Sequence, residues 1–146
     1  MAEPKAFVDE FESNVLNYHF GLIADTYTRG ATLFLGLWTS DVLETDDGTS
    51  VNELQTTFGY ARQPISFGTA STSGSGKQIA NITADTVFQA SGGAWSAVVG
   101  VAILDVVTDG AGKILAFDNS ISSATLADGD TLTFAVGNVI VSIDIT

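Results

Sequence analysis

Two hydrophobic periods divide the chain. Over residues 6–20 the apolar side chains recur at helical spacing. Phe7, Phe11 and Val15 fall on one line at i, i+4, and Leu16 and Phe20 continue a neighbouring line. Asp9, Glu10 and Glu12 lie near the start of this stretch, where a helix dipole favours negative charge, and Gly21 is placed to cap its end. The pattern predicts one amphipathic helix. Its apolar stripe is expected to pack on the domain in preference to docking on a neighbour.

Beyond residue 20 the period falls to two, and Thr, Val, Ile, Phe, Ser and Gly take over. Strands are expected at 31–40, 60–68, 78–82, 86–89, 95–105, 113–117, 131–135 and 139–145. The first is nearly continuously apolar (Leu33, Phe34, Leu35, Leu37, Trp38), which suits burial on both faces or a place beneath the helix. Pro64 assigns its strand to an edge or a bulge. The turn at 108–112 makes 95–105 and 113–117 the clearest hairpin. Residues 41–49 read as an acidic loop, 69–76 as a Ser/Thr/Gly/Ala loop, and Asp128-Gly129-Asp130 as a turn. About eight short strands at regular spacing predict a mainly β protein. The expected form is an antiparallel β-sandwich, jelly-roll or immunoglobulin-like, with one N-terminal helix. Residues 1–20 form the arm and helix and 21–146 the sandwich. Residues 1–13 are expected to be dispensable for the β domain.

Composition narrows the chemistry. Cysteine is absent and there is one histidine, so disulfides, thiolate sites and multi-histidine metal sites are excluded within one chain. Against 17 acidic residues stand 5 basic ones, a formal net charge of -12 that offers no footprint for nucleic acid. The same charge repels anionic lipid, and no apolar run is long enough to span a membrane. The N-terminus carries acidic residues where a secretion signal would be basic, so synthesis in the cytosol without a cleaved signal is expected. Mean hydropathy is +0.30 with 15% charged residues, which suits apolar surface set against another chain and equally a well-filled β core with Thr and Ser on its surface.

No catalytic constellation emerges, and no cofactor is called for. Gly74-Ser75-Gly76-Lys77 lacks the upstream glycine, the following Ser or Thr and the helix of a phosphate-binding loop. The acidic loop and Asp128-Gly129-Asp130 lack the spacing of a calcium hand and read as turns. Carboxylates are too numerous for any pair to signal glycoside hydrolysis, and His19 has no partner motif for a triad. Trp38, Trp95, Tyr60 and Tyr27 are candidates for a sugar-stacking platform, although aromatics in a β-sandwich more often anchor a core or an interface. Arg62 is the basic residue that stands out. It fits a bidentate pair with a carboxylate such as Glu53, inside the domain or across a subunit boundary. Phe7, Phe11, Trp38, Tyr60, Arg62 and Trp95 are therefore the candidate structural or interface residues.

The segment Gly59-Tyr60-Ala61-Arg62-Gln63-Pro64-Ile65-Ser66-Phe67-Gly68 carries a resemblance. With it go residues 32–39, Ile79-Ala80-Asn81, Thr86-Val87-Phe88, Trp95, residues 102–105 and residues 128–134. From about Leu16 onward the chain resembles a family of tailed-phage virion proteins labelled tail fibre proteins, some of them capsid decoration (cement) proteins. Residues 1–13 and 69–77 lie outside the resemblance. It implies a non-catalytic β-sandwich that assembles symmetrically on the virion. The first expectation is a trimeric cement protein on the capsid surface, with the major capsid protein as partner. The alternative is a tail fibre or tail-tip component used in host-surface attachment.

Overall fold

A computed structural model describes residues 5–19, 32–49, 52–72 and 78–143. Gly21, Tyr27, residues 74–77 and the boundary at residue 20 lie outside the described residues. The chain begins with strand β1 (Lys5–Phe7) and helix α1 (Asp9–His19), followed by β2 (Leu33–Trp38). A single 3-10 turn at Thr57–Gly59 leads to β3 (Gln63–Ile65), β4 (Ser71–Thr72) and β5 (Gln78–Asn81). Then come β6 (Thr86–Gln89), β7 (Gly100–Leu104), β8 (Ile114–Asp118), β9 (Thr131–Phe134) and β10 (Ile140–Ile143). Every ladder among them is antiparallel. The fold is mainly β, a sandwich with one N-terminal helix, as the periodicity predicts.

One layer is a five-stranded sheet in the order β1-β8-β7-β2-β3; β10-β5-β4 and β6-β9 form two smaller sheets. Strand pleating explains why the large sheet is apolar on both sides. Leu35, Leu37, Val101 and Ile103 point to one face and pack with Phe88, Ile82 and Tyr60, joined by half-buried Phe134 and Val141. Trp38, Ala102 and Leu104 point to the other face, where Val8, Val42, Ile114 and Phe117 join them and Phe11 of α1 packs on top. A bulge between Ile103 and Leu104 adds Leu115 to β8, so Leu115 joins the first face while Ile114 and Phe117 stay on the second. All five residues of β7 are consequently buried. Each large side chain removed from water in this way contributes about 1.5–3 kcal/mol.

Three boundaries differ from the sequence expectation. The helix starts at Asp9 because residues 5–7 pair with β8, Phe7 opposite Ala116, before the Val8 carbonyl accepts the first helical bond from Glu12 N. The expected strand 95–105 is ordered as a ladder only at β7. Trp95 and Val98 bond instead to Leu126 and Ala124. The expected strand 60–68 is cut to β3, an edge strand in which Pro64 sits opposite Phe34 without disturbing a central ladder.

The arm is therefore built into the sheet. Val8 is 3% exposed and Phe11 packs against both apolar clusters. This changes the expectation for residues 1–13. Their deletion should remove β1, Val8 and Phe11 and lower stability by more than about 3 kcal/mol, on area grounds. Urea unfolding followed by far-UV circular dichroism checks this; an unchanged midpoint would contradict the packing described.

Candidate functional site

The segment 60–62 leaves the 3-10 turn in extended conformation and passes under two loops. Arg62 is 2% exposed, and all five of its N–H donors are used. Nε donates to Glu53 Oε1 at 2.8 Å and Nη2 to Glu53 Oε2 at 2.6 Å. Nη2 also reaches the Gly48 carbonyl at 3.0 Å, while Nη1 reaches the carbonyls of Val106 at 3.1 Å and Ala111 at 2.8 Å. One side chain thus ties the acidic loop 41–49 and the β7–β8 hairpin to a bidentate carboxylate inside the domain.

Glu53 is 3% exposed and is bridged to Trp38 at the edge of β2. Its Oε1 also accepts the Tyr60 hydroxyl at 2.7 Å, and that hydroxyl in turn accepts Leu37 N at 3.0 Å. Burial pushes the Glu53 carboxyl above the ordinary carboxylate range, against the pull of its hydrogen bonds from Arg62 and Tyr60. Burial, reinforced by the charge on Glu53, pushes the Tyr60 phenol far up, so it remains a proton donor. Gly36 supplies the room. A Cβ there would lie 2.9 Å from Leu104 Cδ1 and Trp38 Cζ3 and 3.0 Å from Glu53 Oε1.

Tyr60, Trp95 and Trp38 are also internal. Tyr60 stacks on Phe88 (centroids 6.2 Å apart, 11° between planes) and meets Trp95 edge-on (5.8 Å, 88°). Phe88 meets Phe134 edge-on at 6.1 Å. Trp38, at 0% exposure, lies on the opposite face beneath the helix, and Trp95 is 3% exposed. Phe7 and Phe11 are half-buried, with rings 5.3 Å apart. The structure thus brings Tyr60, Arg62 and Trp95 together, with Trp38 close to Glu53, and leaves Phe7 and Phe11 at the helix. Trp38 and Tyr60 are covered by the domain itself and are not available as a surface anchor.

The acidic residues have a structural use as well. Asp46, Asp47, Asp85, Asp105, Asp118, Asp128 and Asp130 each accept a backbone N–H in a turn or loop. The bonds from Thr49 hold the Asp47 carboxyl below its ordinary range. Among the described residues no group of three or more His, Cys, Asp or Glu is placed to hold a metal ion. No helix among them is long and apolar enough to cross a membrane.

Sequence reasoning missed Phe58. It lies in the left-handed region (φ 57°, ψ 40°), which costs a bulky residue about 1–3 kcal/mol. Its carbonyl accepts Trp95 Nε1 and Ser91 N, both at 2.9 Å. No sequence pattern announces this; only the following glycine, Gly59 at φ 80°, hints at an unusual turn. Two depressions remain. A half-open cleft of about 500 Å³ between the large sheet and β9–β10 is lined by Leu35, Val101, Ile103, Phe134, Val139 and Val141, with Glu12 and Asp118 also lining it. A smaller one of about 200 Å³ lies beside Phe58.

The Arg62 network generates a stability prediction. Arg62→Ala takes the guanidinium donors from Glu53 and three carbonyls and leaves Glu53 a buried carboxylate with no cation, so a loss of about 3–5 kcal/mol is expected. Arg62→Lys, lacking the planar fork, should lose nearly as much. Thermal unfolding of both variants checks this, and an unchanged Tm would contradict it.

Comparison with protein families gives one match, to the family described as Podophage GP4 fiber I protein gp80, over residues 6–142. Among curated proteins none matches. The matched span takes in residues 6–13 and 69–77, which the resemblance in the sequence leaves outside. The chain belongs to this podophage fibre protein family and is a phage structural protein.

Proposed function

We propose that the chain is a structural module of the virion's fibre apparatus, acting by docking to neighbouring subunits. The family match over residues 6–142 carries this reading, because it joins the chain to a fibre protein through the whole described sandwich. The site geometry supports a non-catalytic role. Arg62, Glu53 and Tyr60 are spent on one another, and the aspartates listed above are spent on turns.

The surface supports assembly. Leu16 on α1 is 55% exposed, Val107 on the β7–β8 hairpin 56%, and Val136 and Ile140 near β9–β10 56% and 53%. Apolar side chains left open in several places suit a module that meets other chains. A trimer is the proposed assembly, since closed symmetry covers the same patch on each copy. The purified chain is expected to sediment as a trimer at micromolar concentration; a strict monomer would contradict this part.

Location in the virion is tested by antibody-gold labelling of intact particles in the electron microscope. Label on the fibres is expected. Label spread over the head would overturn the fibre reading and favour capsid decoration, with the major capsid protein as partner.

A further inference from the structure

Of the aromatics that the sequence offers for sugar stacking, Trp38, Tyr60 and Trp95 are buried, and Tyr27 lies outside the described residues. Among the described residues the aromatic left well exposed is Phe58, at 48%. We propose that Phe58 and the depression beside it bind a neutral sugar ring.

The first support is the backbone. Position 58 is left-handed, a conformation that glycine adopts freely and phenylalanine does not. The bonds that fix this turn, from Trp95 Nε1 and Ser91 N, go to the main-chain carbonyl and would form with glycine there. The ring does little for the core, since about half the residue stays in solvent. Strain kept for an exposed side chain points to a contact with something outside the domain. The ring is also held in place. A Cβ on Gly93 would lie 2.5 Å from it, so the ring rests directly on that glycine.

The second support is the chemistry of the depression. Thr39, Gln55, Thr57 and Ser96 line it together with Phe58 and Trp95. Among the described residues, the Thr57 and Ser96 hydroxyls make no hydrogen bond within the domain, and the Gln55 amide makes only a long one of 3.4 Å, to the Glu53 carbonyl. Hydroxyl and amide groups beside an exposed aromatic face match a ligand with C–H bonds on one side and hydroxyls around its edge. Charge selects a neutral ligand. No lysine or arginine lines the depression, and its one carboxylate, Glu53, is paired with Arg62. Its volume of about 200 Å³ suits one ring.

This does not depend on whether the module sits on a fibre or on the shell. The test is saturation-transfer NMR on the purified chain with methyl glycosides of glucose, galactose, mannose and N-acetylglucosamine. At least one glycoside is expected to receive saturation, with loss of tenfold or more in affinity on Phe58→Gly and a smaller loss on Thr57→Val. Phe58→Gly should keep its Tm close to the parent value or above it. Absence of transfer to every glycoside, transfer that survives Phe58→Gly, or a large fall in Tm for that variant would each overturn the proposal. None of these outcomes bears on the position of the gold label in the virion, so the two readings fail separately.

Discussion

A buried guanidinium with five satisfied donors is the constraint around which this domain is organised. Arg62 is expensive to desolvate, and the fold offsets that cost by turning three loop carbonyls and one bidentate carboxylate inward. The carbonyls of Gly48, Val106 and Ala111 belong to two loops that are far apart in sequence. Neither loop has an apolar core of its own. Both are fixed because one rigid fork reaches them at once, and the Gly48 N to Gly112 O bond of 3.0 Å then closes one loop on the other. Asn119 adds a second tie, bonding both the N–H and the carbonyl of Val42 through its side-chain amide.

The same network reaches the core through Tyr60. Its hydroxyl joins Glu53 to the main chain of β2, and its ring is the middle of an aromatic series running from Trp95 through Phe88 to Phe134. Polar order at the sheet edge and apolar packing between the layers therefore share one residue. Moving either loop at its Arg62 contact therefore disturbs the buried ion pair. The acidic residues fit the same account. Seven aspartates satisfy backbone donors in turns and loops, so part of the net negative charge has a local purpose.

Much of this was legible in the sequence because period and turn chemistry are local signals. The nearly continuous apolar run of β2 announced burial on both faces or a place beneath the helix, and Asp128-Gly129-Asp130 announced its turn. Arg62 with Glu53 was legible because an arginine within the Tyr60-Ala61-Arg62 segment of an acid-rich chain calls for a carboxylate. The rest was not, for physical reasons. β1 looks like the start of the helix because Phe7 has helical spacing to Phe11, and only its partner on β8 decides otherwise. The carbonyls that Arg62 reaches have no side-chain signature. Phe58 looks like any aromatic until the backbone angle is seen. The match to a fibre protein family agrees with the resemblance at the level of the virion and extends it back to residue 6 and across residues 69–77.

The most direct test of the central claim is a double-mutant cycle on the buried pair, using Arg62→Met, Glu53→Leu and the double variant in urea unfolding. If the pair organises the loops, each single variant strands a buried charge and the double variant recovers part of the loss. The account predicts a coupling of at least about 2 kcal/mol. Additive losses, with coupling near zero, would contradict it.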